Sequence, residues 1–285
     1  MSIIYKMKYL GGKQRLGKHL SPYLLKLWDA RGTIIEEMNE KRVKIPKVNG
    51  YLEPFCGSLG VFKHMSKSLS EKGGVTSIVG SDYHPDLIQM WKEVQEGSFE
   101  YPESISEEEF NNAKKLKSPN AMKSFIGFGM SFGGRYFGAY SHKYLGNKKE
   151  DFCAEMRNSL QRTSKMIQYP KVKFVQKDYS ILKPKKKFIY CDPPYEYHKY
   201  PIKYRRDVKH YDVFDNERFW EIMRDWSKTG ENLVLISEMN APEDFVEIWN
   251  MEKYRSAAQS KKTRFKGKSE THYIEKVFIH ESMLV

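Results

Sequence analysis

The fold of this chain is decided by one stretch, Tyr51-Leu52-Glu53-Pro54-Phe55-Cys56-Gly57-Ser58-Leu59-Gly60. Its beginning is apolar enough for a short strand, and its glycines allow a tight turn in which the backbone can approach a ligand closely. A helix is expected to follow this turn. This order of strand, glycine turn and helix is typical of nucleotide-type ligand sites in α/β proteins.

Asp82 lies farther along the chain, at the end of the apolar run around Ile78 and Val79. An acid at that position can accept hydrogen bonds from both ribose hydroxyls of a nucleoside-type cofactor. The triple-glycine pattern of dinucleotide sites is missing from the sequence, which disfavours NAD. A tight strand-to-helix turn without a ligand is the alternative, and Asp82 weakens it.

The rest of the chain alternates between amphipathic helices and short apolar runs. The helical stripes are Leu16, Leu20, Tyr23, Leu24 and Leu27, then Leu87, Met90, Trp91 and Val94, then Phe219, Ile222, Met223 and Trp226. Gly97 is expected to end the second helix, and Asp215 and Gly230 to bound the third. The apolar runs are Ser77 to Gly80, Phe188 to Tyr190 and Leu233 to Ile236. Strands that alternate with helices predict a mostly parallel α/β sheet.

Residues 96–167 break this alternation. An acidic helix candidate runs from Ser106 to Lys117, and a glycine- and aromatic-rich segment runs from Phe125 to Tyr140. We expect that second segment to form neither a regular helix nor a parallel strand. The sequence therefore predicts an insertion at about 96–167 within a catalytic domain made of residues 1–95 and 168–285.

Composition limits the partners and the compartment. The formal net charge is +13, which indicates a polyanionic partner, usually nucleic acid, although a basic solvated surface is the alternative. Three cysteines in no close pair fit a reducing cytosol, and eight histidines without ligand spacing predict no metal site. No run of about 18 apolar residues and no apolar leader is present, so neither a membrane span nor a secretory signal is expected.

A second motif, Asp192-Pro193-Pro194-Tyr195, directly follows the apolar strand that ends at Cys191. Consecutive prolines withhold N–H donors and fix φ, so their carbonyls are rigidly aimed beyond the strand end. We predict that Asp192 and the Pro193 carbonyl accept the two N–H bonds of an amino group on a planar heterocycle, while Tyr195 stacks on the ring. A turn without function is the alternative, which this place at the carboxyl end of a strand disfavours.

Two further segments are basic. The cations Lys199, Lys203, Arg205, Arg206, Lys209 and His210 alternate with Tyr197, Tyr200, Tyr204 and Tyr211, and a second cluster holds Lys261, Lys262, Arg264, Lys266 and Lys268. Cations for phosphates and rings for unstacked bases are what base extrusion requires. A solvated loop is the alternative. Arg135, in the segment Phe132 to Tyr136, could read guanine or hold a phosphate.

Taken in order, these motifs resemble those of the Dam-type (D12 class, alpha group) DNA adenine-N6 methyltransferases. The resemblance is carried by Lys8-Tyr9-Leu10-Gly11-Gly12-Lys13, Glu53-Pro54-Phe55-Cys56-Gly57, Asp82 and Asp192-Pro193-Pro194-Tyr195. Phe174 to Tyr179 resembles a further short motif, and Tyr273 to Val277 a C-terminal strand, so the likeness spans residues 8 to 285. The ordered set is specific, whereas Asp-Pro-Pro-Tyr alone also occurs in RNA and protein methyltransferases.

The resemblance implies a class I methyltransferase with a Rossmann-like, doubly wound, mostly parallel sheet and an inserted target-recognition domain. S-adenosylmethionine, which leaves as S-adenosylhomocysteine, would be held by Tyr9, Gly11, Gly12, Lys13, Glu53, Pro54, Phe55, Gly57, Ser58, Asp82 and Asp178. The target amine would meet Asp192, Pro193, Pro194 and Tyr195, and double-stranded DNA would meet Arg135, Tyr136, Lys199, Lys203, Arg205 and Lys209. Leu59 departs from the family, in which Gly or Ala is common there, and we expect only local crowding.

The resemblance also indicates a prokaryotic, phage or viral protein of the cytoplasm, a monomer or weak dimer, with a place in restriction–modification. Two alternatives stay open. An RNA adenine-N6 methyltransferase is one, because some ribosomal-RNA enzymes carry a glutamate after this motif, as at Glu196. A catalytically silent DNA-binding homologue is the other, and the intact motif from Asp192 to Tyr195 disfavours it.

Overall fold

The computed structural model describes residues 7, 9, 12–14, 16–37, 40–141, 144–145, 148–149, 151–194, 214–255 and 271–285. The helices are α1 (Gly17–Asp29), α2 (Phe62–Lys72), α3 (Pro85–Glu96), α4 (Glu107–Ala113), α5 (Ala121–Gly129), α6 (Phe152–Ile167) and α7 (Asn216–Thr229). The strands are β1 (Ile34–Glu37), β2 (Lys41–Lys44), β3 (Gly50–Glu53), β4 (Ile78–Asp82), β5 (Tyr144–Leu145), β6 (Lys148–Lys149), β7 (Val172–Gln176), β8 (Lys187–Cys191), β9 (Leu233–Glu238), β10 (Phe245–Arg255) and β11 (Thr271–His280).

Seven strands form the central sheet, in the order β10-β11-β9-β8-β3-β4-β7. The strands from β9 to β7 pair in parallel, and β11 pairs antiparallel with both β9 and β10. The strand order reverses direction next to β3, because the chain moves first toward β7 and then back through β8 to β10. The predicted mostly parallel α/β sheet is confirmed, and its carboxyl edge at β3 and β8 is where such sheets bind ligands.

Both faces of the sheet are covered, as the nearly continuous apolar runs require. In β8, Phe188 and Tyr190 belong to the cluster beneath α1, α2 and α3, whereas Ile189 and Cys191 belong to the cluster beneath α7. Successive side chains of a strand point to opposite faces, so a run that is apolar at every position needs cover on both sides. The sheet is therefore doubly wound.

Three predicted helices are confirmed. Helix α1 buries Leu20, Leu24 and Leu27. Helix α3 begins after His84, whose ring accepts a hydrogen bond from the Leu87 N–H, and ends at Gly97 in a left-handed conformation. Helix α7 begins after its Asp215 cap and ends at Gly230, and it buries Phe219, Met223 and Trp226.

The glycine- and aromatic-rich segment is partly helical, so the expectation that it forms no regular helix is wrong. Helix α5 reaches to Gly129, although glycine lowers helix stability by roughly 1 kcal/mol. Packing explains this. A Cβ on Gly127 would lie 2.4 Å from the Tyr136 ring, and one on Gly129 would lie 2.8 Å from Cγ of Met156. The two glycines let neighbouring side chains approach the helix closely, and this contact offsets their low helix propensity.

Residues 96–167 pack on the same face of the sheet as α2 and α3. Their buried side chains, such as Phe110, Phe125 and Leu160, belong to that cluster. The acidic helix begins after Ser106 as expected, but α4 ends at Ala113, short of Lys117, and Pro119 stands soon after and cannot continue a helix. The division into catalytic domain and target-recognition insertion stays a prediction.

Leu59 has a φ of +58°, in the left-handed region, and its side chain is fully buried. A Cβ makes this conformation less favourable by roughly 1–2 kcal/mol, so glycine is the natural residue there. The expectation of local crowding alone is therefore wrong, because the main penalty is backbone strain. Burial of a leucine side chain contributes about 1.5–3 kcal/mol and offsets that strain.

Helix α1 and the turn after β3 meet backbone to backbone. A Cβ on Gly17 would lie 1.9 Å from the Gly60 carbonyl oxygen, and a Cβ on Gly60 would lie 2.7 Å from the carbonyl carbon of Lys13. Neither position has room for a side chain. This contact fixes the start of α1, and the segment before it, over the turn.

We predict that Gly17→Ala destabilises the protein by about 1–3 kcal/mol, because the added methyl group collides with backbone that cannot move aside. The direction of the change in stability is informative, because alanine in place of glycine ordinarily stabilises a helix by roughly 1 kcal/mol. Urea unfolding measures the change, and Lys18→Ala, at the exposed neighbouring position, is the control. An unfolding free energy equal to or above that of the wild type would contradict the close contact with Gly60.

Candidate active site

Acidic side chains line the carboxyl edge of the sheet. In sheet order they are Glu275 on β11, Glu238 on β9, Asp192 after β8, Glu53 on β3, Asp82 on β4 and Asp178 after β7. The carboxyl ends of parallel strands share one edge, and β11, being antiparallel, brings its first half to the same edge. An otherwise basic chain thus presents a row of acids where α/β sheets bind their ligands.

The turn after β3 is fastened to the end of β4. The Gly57 N–H donates to Oδ2 of Asp82 at 3.0 Å, and the His84 N–H donates to its Oδ1 at 3.0 Å. The Trp91 indole N–H donates to the Gly57 carbonyl at 2.9 Å. Burial raises the pKa of Asp82, and the backbone hydrogen bonds oppose this shift. Each carboxylate oxygen can accept a second hydrogen bond, so Asp82 can still bind hydroxyls.

The segment around Tyr9 and Gly12 lies against this same turn, so the structure brings the amino-terminal motif and the glycine turn after β3 together. A Cβ on Gly57, whose φ is +45°, would lie 3.2 Å from the Tyr9 ring, and one on Gly12 would lie 2.8 Å from Oγ of Ser58. The Gln14 side chain donates to the Ser58 carbonyl at 2.5 Å. The glycine backbone packs closely against the Tyr9 ring and the Ser58 hydroxyl, and it forms a cradle with no room for a side chain at either glycine.

Ser58 has a buried hydroxyl that makes no hydrogen bond within the described part of the chain. A buried hydroxyl without a partner is unfavourable by about 1–3 kcal/mol. Its place between Gly12 and Gly57 fits a polar ligand atom that would complete its hydrogen bonding. The cradle and the Asp82 carboxylate therefore fit the nucleoside-type methyl donor that the sequence predicts.

The second motif begins at the acid after β8. Lys13 extends to this acid, and its Nζ lies 3.4 Å from Oδ1 of Asp192 and 3.0 Å from Oε2 of Glu275. Burial lowers the pKa of Lys13, but Asp192 and Glu275 outweigh it, so the net pKa is raised. Lys13 is thus a buried ammonium ion paired with two acids. Pro193 is buried and Pro194 exposed.

Glu53 and Glu238 flank this ion pair. Burial raises the pKa of Glu53 well above its usual value, and Asp192 adds to the shift, while a hydrogen bond from the Tyr51 hydroxyl opposes it. Burial also raises the pKa of Glu238, to about 7, with Lys13 opposing the shift and Asp192 adding to it. Like charges that share a buried site favour the protonated form. Glu53 and Glu238 therefore both hold a proton more readily than an exposed carboxyl group does.

Aromatic rings pack around Phe55, in the turn after β3, and form an aromatic wall. The Phe55 ring lies 4.9 Å from that of Tyr179 and 6.0 Å from that of Phe214, measured between centroids. Asp178 accepts hydrogen bonds from the Ser180 N–H and hydroxyl, which fixes its carboxylate beside this wall. Pro54, which precedes Phe55, is buried.

The segment that carries Arg135 is anchored to the site by Asp86. This buried carboxylate accepts hydrogen bonds from the Tyr136 hydroxyl at 2.6 Å, the Asn120 N–H at 2.7 Å and the Ser118 hydroxyl at 2.9 Å. Tyr136 is therefore a structural anchor, and its predicted DNA contact stays a prediction. Arg135 itself is exposed.

His84 connects the same segment to the Asp82 turn. Its ring lies edge-on to the Tyr136 ring at 4.4 Å and 5.3 Å from that of Phe128. Phe128 in turn lies 4.9 Å from Tyr9. Phe128 thus joins the segment that carries Arg135 to the amino-terminal motif, and His84 joins that segment to the Asp82 turn.

Several predicted site residues fall outside the described residues. They are Gly11, Tyr195, Lys199, Lys203, Arg205 and Lys209, together with the other cations and tyrosines of residues 197–211 and the basic cluster at 261–268. In the parts of the chain that are described, no group of His, Cys, Asp and Glu could hold a metal ion, and no helix is long and apolar enough to cross a membrane.

Sequence reasoning did not single out Glu238, Glu275 or Asp86 as functional. Glu275 lies inside the strand motif Tyr273 to Val277, and a charged residue within an apolar strand was the available signal. Asp86 stands in the first turn of α3, where an acid is ordinary because it complements the helix dipole. Its contacts come from residues far along the chain, so the sequence carries no sign of them.

We predict that, as the pH falls below about 6.5, the unfolding free energy of His84→Asn decreases less than that of the wild type. Burial lowers the pKa of His84 to about 4, with Lys123 acting in the same direction and Asp86 opposing it. The unfolded chain, with a histidine pKa of about 6.5, binds more protons than the folded one between pH 6.5 and 4. Stability contributed by His84 is therefore complete above about pH 6.5 and is lost as pH falls, by up to about 3 kcal/mol.

Asparagine keeps an acceptor for the cap of α3 but does not titrate. Urea unfolding of both proteins from pH 8 to pH 4.5 measures the difference, with pH 8 as the baseline. Glu238, whose raised pKa acts in the opposite sense over this range, is present in both proteins and cancels. Parallel profiles for wild type and variant would show that His84 does not titrate as its burial predicts.

Comparison with known proteins identifies the family of the chain. The family model of D12 class N6 adenine-specific DNA methyltransferases matches residues 30–264. No curated protein matches the chain. A solved structure from Thermoplasma acidophilum, provisionally described as a methyltransferase, is similar at 8% identity and a TM-score of 0.22, over 45% of this chain and 53% of that one. The alignment thus spans about half the length of that chain. Because the family match covers well over half of the residues, the chain belongs to the D12 class N6 adenine-specific DNA methyltransferase family.

Proposed function

We propose that this protein is a site-specific, adenine-specific DNA methyltransferase that transfers a methyl group from S-adenosylmethionine to N6 of an adenine extruded from duplex DNA. The observation that carries the proposal is the position of Asp192 and buried Pro193 at the carboxyl end of β8. They stand one strand away from the glycine turn after β3 and two strands away from Asp82 on β4. A target amine and a methyl donor would therefore meet at this edge.

The acids of this edge support S-adenosylmethionine as the donor. The molecule carries a sulfonium and an ammonium charge, and it supplies an electrophilic methyl group when bound. Asp82 would accept the ribose hydroxyls, and Ser58 would pair with a polar atom of the ligand. The remaining proposed binding residues are Tyr9, Gly11, Gly12, Lys13, Glu53, Pro54, Phe55, Gly57 and Asp178.

The amine would be prepared by the second motif. Adenine N6 is a poor nucleophile because its lone pair is delocalised into the ring. Hydrogen bonds from its two N–H groups to Asp192 and the Pro193 carbonyl would hold the nitrogen nearer to tetrahedral, with its lone pair directed at the methyl carbon. Tyr195 would stack on the ring and Pro194 would shape the turn. Positioning and electrostatics would then supply most of the acceleration.

The basic regions would hold the DNA. The net charge of +13 fits a polyanion. We infer that the insertion at 96–167 reads the target sequence, with Arg135 and Tyr136 near the bases, and that Lys199, Lys203, Arg205 and Lys209 hold phosphates. The family match does not favour the RNA alternative. Methyl transfer from labelled donor to duplex DNA and to RNA tests the proposal directly, and transfer to RNA alone would refute it.

We predict that Asp192→Ala abolishes methylation but leaves S-adenosylmethionine affinity within roughly tenfold, about 1.4 kcal/mol, because Asp192 faces the amine. Asp82→Ala is the matched contrast. It should weaken donor binding by about 1.5–3 kcal/mol, because a charged acceptor is lost from the ribose site. Calorimetry measures donor affinity and single-turnover assays measure methyl transfer. Asp82→Ala also loses the hydrogen bonds from Gly57 and His84, and urea unfolding measures how much stability that loss removes. Turnover of Asp192→Ala above a few per cent of wild type would exclude the assigned role.

We also predict that Arg135→Ala lowers affinity for the cognate duplex by about 1–3 kcal/mol and for a scrambled duplex much less, if Arg135 reads a base. Lys203→Ala should instead weaken both complexes equally and reduce the salt dependence by about one unit. The cognate site comes first from sequencing methylated DNA after expression in a methylation-free host. Equal losses on both duplexes for Arg135→Ala would make it a phosphate contact.

A further inference from the structure

The ammonium group next to Asp192 is held by a second acid, Glu275. Both Glu275 oxygens lie within hydrogen-bond distance of Lys13 Nζ, at 3.2 and 3.0 Å, whereas the contact to Asp192 is longer, at 3.4 Å. The Glu275 side chain is 5% exposed and that of Lys13 is 10% exposed. Lys13 is therefore held mainly by Glu275 on β11 and makes a longer contact with Asp192.

The groups that face this pair come from every neighbouring strand. Glu53 ends β3 and receives the Tyr51 hydroxyl, Glu238 ends β9, and Tyr190 on β8 bonds to the Ser237 hydroxyl. Glu53 and Glu238 both interact electrostatically with Asp192, and Glu238 also interacts with Lys13 and Glu275. Glu53 and Glu275 also act on Tyr190. The charge of Lys13 thus acts on Glu275 and Glu238 as well as on Asp192, and is not given to Asp192 alone.

We propose that Glu275 is a positioning residue for methyl transfer: by anchoring Lys13 it keeps the ammonium ion from closing fully on Asp192, so that this carboxylate remains a strong acceptor for the target amine. The proposal rests on the proposed function. Its physical basis is that a charge-assisted bond between an ammonium ion and a carboxylate favours about 2.7–2.9 Å, so the 3.4 Å contact between Lys13 and Asp192 can shorten once Glu275 no longer attracts the ammonium ion. A shorter contact between Lys13 and Asp192 would engage the carboxylate and weaken the hydrogen bond that it accepts from the target amine.

The test is Glu275→Gln, which keeps the size and removes the charge. We expect kcat for duplex DNA to fall at least tenfold while S-adenosylmethionine affinity changes less than threefold. The acid limb of the kcat–pH profile should also move to lower pH, because Asp192 would hold Lys13 alone and resist protonation. Glu275→Asp, which keeps the charge, should restore at least a third of the wild-type kcat.

Glu247→Gln is the matched control. Glu247 pairs with Lys276 at 2.9 Å on the adjacent strand and makes no described contact with Lys13, so its loss should leave kcat and the pH profile unchanged. Urea unfolding of each variant separates activity from folding. A kcat within twofold of wild type for Glu275→Gln would refute the proposal, and so would a loss with an unmoved acid limb. Absence of methyl transfer by the wild-type protein would instead refute the proposed function.

Discussion

The site is organised by one buried ammonium ion. Lys13 lies between Asp192 and Glu275, with Glu53 and Glu238 close by, and each of these acids stands on a different strand or strand end. Moving charges out of water is unfavourable by several kcal/mol per ion unless they are paired. Because several acids meet at one edge, the position of Lys13 determines which of them remain ionised. That position depends in turn on how the chain enters α1.

The entry into α1 is fixed by backbone contact. Gly17 and Gly60 touch so closely that no side chain fits between them, and Lys13 lies just before this contact. The same turn carries Gly57, which donates to Asp82, so the cradle at Gly12 and Gly57 and the position of the ammonium ion are set by one local geometry. Leu59 occupies a strained left-handed conformation there, stabilised by its burial. Small displacements of the turn would therefore affect the cradle and the acid pair together.

The segment that carries Arg135 is joined to this geometry through the start of α3. Asp86 accepts hydrogen bonds from Ser118, Asn120 and Tyr136, and His84, which precedes the helix, contacts Tyr136 and follows Asp82 closely. The start of one helix thus contacts both the Asp82 carboxylate and the segment that carries Arg135. Buried polar networks of this kind fix one arrangement, because each group is unfavourable when unpaired.

The sequence by itself determined the alternation of strands and helices, the two motifs, the placement of Asp82 and Asp192 at strand ends, and the family. These follow from local rules: periodicity, glycine turns, proline chemistry and an acid after an apolar run. The helix through Gly127 and Gly129 could not be predicted, because Tyr136 and Met156 make it stable from outside. Nor could the partnership of Lys13 with Glu275, since residues so far apart meet only when β11 reverses direction beside β9. Only the tertiary structure decided which acids share a charge, because electrostatic energy depends on distance in space and on burial, neither of which spacing along the chain records.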